Sequence, residues 1–333
     1  MPLVTSRSEV LVLYAEAAQR GWVIPAFGTE NLTTTEAILA GTLEYGRRIG
    51  MTSLPVTIAI THRYSGRSQS GNYSHTGDCP LGLRLFLADV KTLTAKGSPF
   101  HSLRIMTHLD HGQHDIDRDI LDGDLSDWSS VMFDASSLPI AENIRTTREY
   151  VLARREDTLI EGACDEIAES GDTASLSSPK MVEAYTRETG VDLVVANLGT
   201  EHRAGAGTLR YRDDLAREIC DRIGRKICLH GTSSVSAAQL PGLFQDGVCK
   251  VNLWTALERD SSPELLGFLA RHAAKAVGRD AARQFLAEGV LGPTADTASS
   301  VALDFCTTRA RQQLVFEQMK RLVIGWLENW YRL

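Results

Sequence analysis

The sequence predicts an α/β fold, a (β/α)8 TIM barrel with extra helices at its N-terminal and C-terminal ends. Short apolar segments alternate eight times with segments of helical periodicity. The apolar segments are nearly continuous, as is typical of parallel strands that are buried on both faces. A doubly wound sheet rarely contains eight such regular repeats, and 333 residues are enough for a barrel of roughly 250 residues with extensions.

The order of the elements follows from these two periodicities. The predicted strands are 22–27, 55–60, 104–109, 129–133, 158–162, 191–196, 226–229 and 248–251. The predicted helices are 6–20, 31–47, 81–95, 114–121, 141–155, 178–189, 213–223 and 236–245. Asn31 and Ser178 are suitable N-cap residues for two of these helices.

We expect one domain over residues 1–333, with the barrel at about 22–258 and a helical extension at about 259–333. The last segment, 314–333, carries an aromatic face that is too large to leave in water, so it should pack on the barrel or on another subunit. The polar, glycine- and serine-rich segment 61–80 is predicted to be a lid, a binding loop or a disordered loop.

Composition excludes several classes of function. The net charge is −7, so no basic surface is expected to bind nucleic acid or anionic lipid. The six cysteines form no CxxC pair and no disulfide framework. The first residues lack the pattern of a signal peptide, and no apolar run is long enough to span a bilayer. We therefore expect a cytoplasmic protein that interacts with neither membrane nor nucleic acid.

Histidines follow three of the predicted strands, at the edge where barrel enzymes place their chemistry. His108, Asp110 and His111 lie at the C-terminal end of the third strand, His202 follows the sixth, and His230 follows the seventh. A polar strand end with solvent-facing histidines would explain the first group alone, but it does not predict the repetition. Three imidazoles with an open fourth position form a common catalytic zinc site.

The motifs around these histidines resemble a known family. They are His-Leu-Asp-His-Gly at 108–112, Val-Met-Phe-Asp-Ala-Ser-Ser-Leu-Pro at 131–139 with Glu-Asn-Ile at 142–144, Gly-Thr-x-His at 199–202, Leu-His-Gly-x-Ser at 229–233 and Lys-Val-Asn at 250–252. In order and at strand ends, they are similar to the class II (zinc-dependent) fructose-bisphosphate and tagatose-bisphosphate aldolases. The similarity extends from about Val23 to Thr255.

The resemblance implies roles for individual residues. It implies that His111, His202 and His230 bind one catalytic Zn²⁺ and that Asp110 exchanges a proton with the substrate. The residues that it implies for contact with the substrate are Gly231, Ser233, Asn252 and Thr255. Two further candidates are Thr61, at the end of the second strand, and Arg203, next to His202. The residues that it implies as supports of the metal region are His108, Asp134 and Glu161.

The sequence also departs from the family pattern. Arg203 and Ala206 stand where relatives have a glycine and a phosphate-binding lysine, and Arg203 could replace that lysine or be a plain surface residue. Gly28 replaces an asparagine, and Trp254 occupies a position that is small or acidic in relatives. The family carboxylate for a second metal is missing, which leaves Glu161 as a weak substitute. In the loop 164–177, the candidates for a mobile acid are Glu166 and Glu169.

The resemblance implies a lyase that reversibly cleaves a ketose phosphate or modified sugar through a metal-stabilised enediolate. It implies Zn²⁺ with a monovalent cation as a second ion, a small anionic sugar as substrate, and a homodimer or homotetramer. Two alternatives stay open: a metal-dependent sugar isomerase or epimerase using the same site, and a catalytically retired aldolase-like protein. A metal hydrolase is less favoured, because the first strand ends in Phe27-Gly28 without a His-x-His pair.

Overall fold

A computed structural model describes residues 3–65, 67–165, 168–169, 176–202 and 210–332, with the backbone alone at 168–169 and 201–202. Its strands are β1 Ile24–Gly28, β2 Pro55–Thr61, β3 Arg104–Gln113, β4 Ser130–Asp134, β5 Leu159–Ala163, β6 Ala168–Glu169, β7 Leu193–Val195, β8 Glu201–His202, β9 Ile227–Leu229 and β10 Val248–Leu253. Eight of them form a closed parallel barrel in the order β1-β10-β9-β7-β5-β4-β3-β2. The predicted (β/α)8 barrel is confirmed, and β6 pairs with β8 in a small separate sheet that was not predicted.

The helices follow the predicted alternation with two exceptions. They are α1 Arg7–Arg20, α2 Leu32–Arg48, α3 Gln69–Asn72, α4 Cys79–Thr94, α5 Arg118–Leu121, α6 Ile140–Arg154, α7 Pro179–Thr189, α8 Asp213–Ile223, α9 Thr255–Arg271, α10 Ala273–Val277, α11 Arg279–Ala287, α12 Leu303–Cys306 and α13 Thr308–Trp330. Two 3₁₀ turns cover Thr232–Ser234 and Leu240–Gly242. Across the parts of the chain described here, no helix has the length and apolarity needed to cross a membrane.

The helix predicted at 236–245 is wrong, and only the 3₁₀ turn Leu240–Gly242 forms there. Pro241 lacks a backbone N–H and clashes with the preceding turn, so an α-helix cannot continue through it. The helix predicted at 114–121 shortens to α5 for a different reason. The Asp117 side chain accepts a hydrogen bond from the Gln113 backbone N–H at 2.9 Å, which stabilises a turn in place of the first helical residues.

Segment 61–80 is organised by local contacts. It contains α3, and α4 begins at its end, where the Asp78 carboxylate accepts a hydrogen bond from the Leu81 N–H at 2.7 Å. Gly82 allows α4 to approach α3, because a Cβ at this position would lie only 1.7 Å from the carbonyl oxygen of Ser70. Gln69, the first residue of α3, is hydrogen-bonded to Thr61 at the end of β2.

Strand β3 continues four residues beyond its predicted end and contains a bulge. Its pairing with β4 shifts register between Leu109 and Gly112, and His111 has φ 48°, a left-handed conformation that costs a residue with a side chain about 1–3 kcal/mol. In a regular strand, Asp110 and His111 would point to opposite faces. Because of the bulge, both side chains line the same pocket.

Helix α13 packs against α2 and α9, and its C-terminal end reaches the N-terminal edge of the barrel. The buried Tyr331 hydroxyl donates to the carbonyl oxygen of Pro55 at 2.5 Å, and the Trp330 indole donates to that of Leu240 at 3.1 Å. The aromatic face predicted at 314–333 thus has the barrel as its packing partner.

Candidate active site

A pocket opens at the carboxyl ends of the barrel strands, where β1, β2, β3, β9 and β10 terminate. Eight of the residues predicted for the site line it: Thr61, Asp110, His111, His230, Gly231, Ser233, Asn252 and Thr255. They are distant in sequence, and the parallel barrel brings them together because every strand delivers its last residues to the same edge.

Asp110, His111 and His230 form a cluster that could hold a metal ion. Each offers one ligand atom, and these atoms lie within 4.8 Å of one another. The Asp110 Oδ1 atom lies 4.0 Å from His230 Nε2, and the rings of His111 and His230 meet edge to face at 4.9 Å. Imidazole nitrogens with a carboxylate are a donor set suited to zinc, so these side chains fit the metal that the sequence predicts.

The carboxylate of Asp134 orients His111. Its Oδ2 atom lies 2.7 Å from His111 Nδ1, and its Oδ1 atom accepts a hydrogen bond from the Ser136 hydroxyl at 2.6 Å. Burial opposes ionisation of Asp134, but the hydrogen bonds from His111 and Ser136 and the charge of His111 hold its pKa well below the usual range. With Nδ1 directed to this carboxylate, Nε2 is the nitrogen of His111 that a metal would use. The ring of Tyr64 stacks on the His111 ring, with the centroids 4.5 Å apart.

Asp110 is held as a carboxylate. Its Oδ1 atom accepts a hydrogen bond from the Asn252 amide at 2.9 Å and lies 3.6 Å from His108 Nε2. Burial would raise the pKa of Asp110, but the charge of His111 and the contacts with His108 and His230 lower it well below its ordinary value. A carboxylate that is ionised at neutral pH has the protonation state that a proton acceptor needs.

His108 and Glu161 lie behind the pocket wall. His108 Nδ1 is 2.8 Å from the Ser130 hydroxyl, and His108 Nε2 is 3.7 Å from Glu161 Oε2. The other oxygen of Glu161 forms an ion pair with Lys250, and both side chains are fully buried. Glu161 also groups with Cys228 and His230 as a possible ligand set, but Lys250 already provides a cation at this carboxylate.

Several predicted residues cannot be placed as side chains. The backbone of His202 lies in β8, next to β6, but its side chain is outside the described part of the chain. The same is true of the side chain of Glu169 and of the whole of Glu166, Arg203 and Ala206. One described contact does connect this segment to the site, since the Thr200 hydroxyl donates to the backbone carbonyl of His230 at 2.7 Å.

Sequence reasoning missed part of the pocket wall, which contains Tyr64, Arg67 and Gln69. Gln69 and Thr61 form two hydrogen bonds with each other. The Gln69 side-chain Oε1 accepts from the Thr61 backbone N–H at 2.9 Å, and the Gln69 backbone N–H donates to the Thr61 hydroxyl at 3.0 Å. Nothing in the sequence marks these residues, because the polar composition of 61–80 does not reveal that α3 folds back onto β2.

Comparison with known proteins shows the family to which the chain belongs. The sequence profile described as fructose-bisphosphate aldolase class-II matches residues 8–304. The fold is similar to that of the fructose-bisphosphate aldolase from Campylobacter jejuni, with a TM-score of 0.75, 16% identity, and coverage of 98% of this chain and 95% of that one.

Two further solved structures share the fold. The YdjI aldolase from Escherichia coli K12 has a TM-score of 0.62 at 17% identity, with 96% of this chain and 95% of that one covered. A putative fructose-1,6-biphosphate aldolase from Coccidioides immitis has a TM-score of 0.63 at 20% identity, with 96% and 94% covered. The profile match spans most of the sequence, so the chain belongs to the class II fructose-bisphosphate aldolase family and is an aldolase-type lyase.

Proposed function

We propose that this protein is a zinc-dependent aldolase that reversibly cleaves a ketose phosphate or a related anionic sugar. The observation that supports this most strongly is the cluster of Asp110, His111 and His230 within 4.8 Å at the carboxyl edge of the barrel. Family membership supports a metal-dependent mechanism and a sugar phosphate as the substrate class. On the same family grounds we propose a homodimer or homotetramer and a monovalent cation as a second ion.

Zinc is the proposed metal because His111 and His230 offer two imidazoles at this edge of the barrel, and His202 is the proposed third. When bound, zinc would polarise the substrate carbonyl and stabilise the negative charge of the enediolate. Asp134 holds Nδ1 of His111 at 2.7 Å, which fixes the ring, so Nε2 is the nitrogen that would bind the metal.

Asp110 is the proposed acid–base residue. In the cleavage direction it accepts the proton of the substrate hydroxyl as the C–C bond breaks, and in the condensation direction it returns that proton to the new alkoxide. The Asn252 amide, at 2.9 Å, fixes the position of this carboxylate. Gly231, Ser233 and Thr255 supply backbone and hydroxyl donors for an anionic group, and Arg203 is proposed as an additional cation.

The test is a condensation assay on protein stripped of metal and then reloaded. Dihydroxyacetone phosphate is offered with a panel of short aldehydes, and formation of the C–C bond is followed by NMR. We expect condensation with at least one aldehyde, loss of activity on stripping, and recovery with Zn²⁺ in proportion to bound metal. Equal activity in stripped and reloaded protein would contradict zinc dependence. Bound zinc without condensation of any aldehyde would contradict the aldol reaction.

A further inference from the structure

One wall of the pocket is shaped by a close fit between Gly28 and Trp254. A Cβ at Gly28 would lie 2.9 Å from the Trp254 Cβ, 3.3 Å from its Cδ1 and 2.9 Å from Gln69 Nε2. Gly28 is not among the glycines with positive φ, so glycine is required here for space and not for backbone conformation. The two departures from the family pattern, at Gly28 and at Trp254, are therefore one structural feature.

The Trp254 ring is also held by Arg67, which lines the same pocket. The Arg67 guanidinium lies 5.0 Å from the ring centroid, in the range of a cation–π contact. Arg67 is in turn fixed by two hydrogen bonds to Glu30, at 2.9 and 2.6 Å, and Glu30 also accepts a hydrogen bond from Asn72 at 3.0 Å. The ring is thus positioned in the pocket wall before any ligand arrives.

The indole N–H of Trp254 is buried, and among the residues that the structure describes it has no hydrogen-bond acceptor. The indoles of Trp22 and Trp330 behave differently, since each donates to a backbone carbonyl, at 2.9 and 3.1 Å. Buried tryptophans usually find an acceptor, because a buried donor that stays unpaired destabilises the folded protein. An unpaired donor on a residue that lines the pocket is explained if the ligand brings the acceptor.

We propose that Trp254 is a specificity-determining residue whose indole N–H donates a hydrogen bond to an oxygen of the bound aldol substrate. This inference rests on the proposed function for the identity of the ligand, although the contact itself can be observed without turnover. Gly28 makes the contact available by leaving room for the ring, and Arg67 with Glu30 keeps the ring in place. A substrate without an acceptor at this position would leave the donor unpaired and bind more weakly.

The test observes the indole N–H directly, by ¹⁵N–¹H NMR of the zinc-loaded protein. The chain has five tryptophans, and the Trp254→Phe variant assigns the signal of interest by its disappearance. Dihydroxyacetone phosphate, dihydroxyacetone and glyceraldehyde are added separately. We expect a downfield shift of the Trp254 signal. Dihydroxyacetone phosphate alone should cause it if the acceptor is a phosphate oxygen, and both dihydroxyacetone phosphate and dihydroxyacetone should cause it if the acceptor is an oxygen of the three-carbon ketone. Glyceraldehyde alone should cause it if the acceptor belongs to the aldehyde portion of the substrate.

Trp254→Phe should raise the Kd of the ligand that shifts the signal by about 3- to 10-fold, the effect of one hydrogen bond, without changing zinc content. Gly28→Ala should also raise the Kd of this ligand, because the added methyl group would displace the Trp254 ring. The matched control is Trp326→Phe, since Trp326 stacks on Trp330 in α13 and should leave the Kd unchanged.

The outcomes separate this inference from the proposed function. If the Trp254 signal stays in place at saturating ligand while condensation proceeds, the assignment of Trp254 is wrong and the aldolase proposal stands. A shift without any reaction would support the contact and count against the aldolase proposal. Absence of both shift and reaction would overturn both.

Discussion

Asp110 is the single side chain on which the proposed reaction depends most. Replacement by asparagine keeps the size of the side chain and a partner for Asn252, but it removes the proton acceptor. We expect Asp110→Asn to retain zinc and to lower kcat by about 10²- to 10⁴-fold, the usual contribution of a general base. Initial rates and metal analysis of the purified variant measure this.

The control is Asp280→Asn, which removes an exposed carboxylate in the first turn of α11 and should leave kcat unchanged. A full rate in Asp110→Asn would remove Asp110 from its proposed role. Loss of zinc together with the rate would instead make Asp110 a ligand, as its place in the cluster with His111 and His230 allows.

Glu258 provides a residue-level prediction that depends on pH. Burial, assisted by the charge of Glu30, raises the pKa of Glu258 to about 7, against the opposing effects of Thr34 and Arg67. The folded state therefore retains a proton that the unfolded chain releases near pH 4.5, so this group's contribution to stability falls between about pH 4.5 and pH 7. Glu258→Gln should be stabilised relative to the original protein at pH 8, by at most about 3 kcal/mol, and much less at pH 5.

Urea unfolding of both proteins at pH 5 and pH 8 measures this difference. Glu264→Gln, an exposed position in the same helix, is the control and should show the same difference in stability at both pH values. A stability gain in Glu258→Gln that is equal at pH 5 and pH 8 would mean that Glu258 does not titrate in this window.

The sequence predicts individual site residues where the residues that carry the chemistry lie within one short motif. Asp110 and His111 are adjacent in sequence, and their strand-end position follows from the apolar run before them. The partner of Glu161 could not be predicted, because Lys250 is 89 residues away and meets it only across the closed barrel. The unpaired indole of Trp254 also depends on side-chain positions that no pattern encodes.

At the scale of elements, the ion pair between Glu161 and Lys250 joins β5 to β10 inside the barrel. Both side chains are fully buried, so removing one partner leaves an uncompensated charge. We expect Lys250→Met to lower the free energy of unfolding by about 3–5 kcal/mol. The double variant Glu161→Gln with Lys250→Met should recover part of that loss, because it leaves no buried charge at this position. Equal stability of single and double variants would contradict this account.

Strand β3 shows why element boundaries were predicted less well than element types. The apolar run ends at Leu109, so the predicted strand ended there, yet pairing continues to Gln113. The polar residues beyond Leu109 stay in the sheet because a bulge and the left-handed backbone of His111 re-aim them into the pocket. A binary pattern of apolar and polar residues cannot signal such a bulge, since its cause is the shifted register against β4.

At the scale of the whole molecule, the barrel is held at its N-terminal edge by the end of α13. Tyr331 is fully buried, its hydroxyl donates to the Pro55 carbonyl, and its own carbonyl accepts from the Tyr45 hydroxyl at 2.8 Å. Tyr331→Ala should lower the free energy of unfolding by about 3–5 kcal/mol, as truncation of a buried aromatic does. Because Pro55 begins β2 and the pocket lies at the opposite end of that strand, KM should not change.

Tyr331→Phe is the matched variant for this position. It keeps the ring and loses one hydrogen bond, so its cost should be about 0.5–1.5 kcal/mol. Unfolding curves and steady-state kinetics of both variants test the separation of stability from binding, and a changed KM in either variant would show that the two barrel ends are coupled.

The overall architecture was the most predictable level, because eight repeats of one strand–helix unit constrain topology more than any single motif does. The connection between the C-terminal extension and the barrel was only partly predictable. The aromatic composition of α13 indicated a buried face. It did not indicate that the Tyr331 hydroxyl would donate a hydrogen bond to the carbonyl of Pro55, the first residue of β2.

The most direct test of the central claim is deuterium exchange at the hydroxymethyl carbon of dihydroxyacetone phosphate, followed by ¹H NMR in D₂O with zinc-loaded protein and no aldehyde. Formation of the enediolate requires removal of a proton from that carbon, so the account predicts exchange with bound zinc and none in metal-stripped protein. Absence of exchange in protein that binds both zinc and dihydroxyacetone phosphate would contradict it, and would limit the similarity to known aldolases to the sequence profile and the fold.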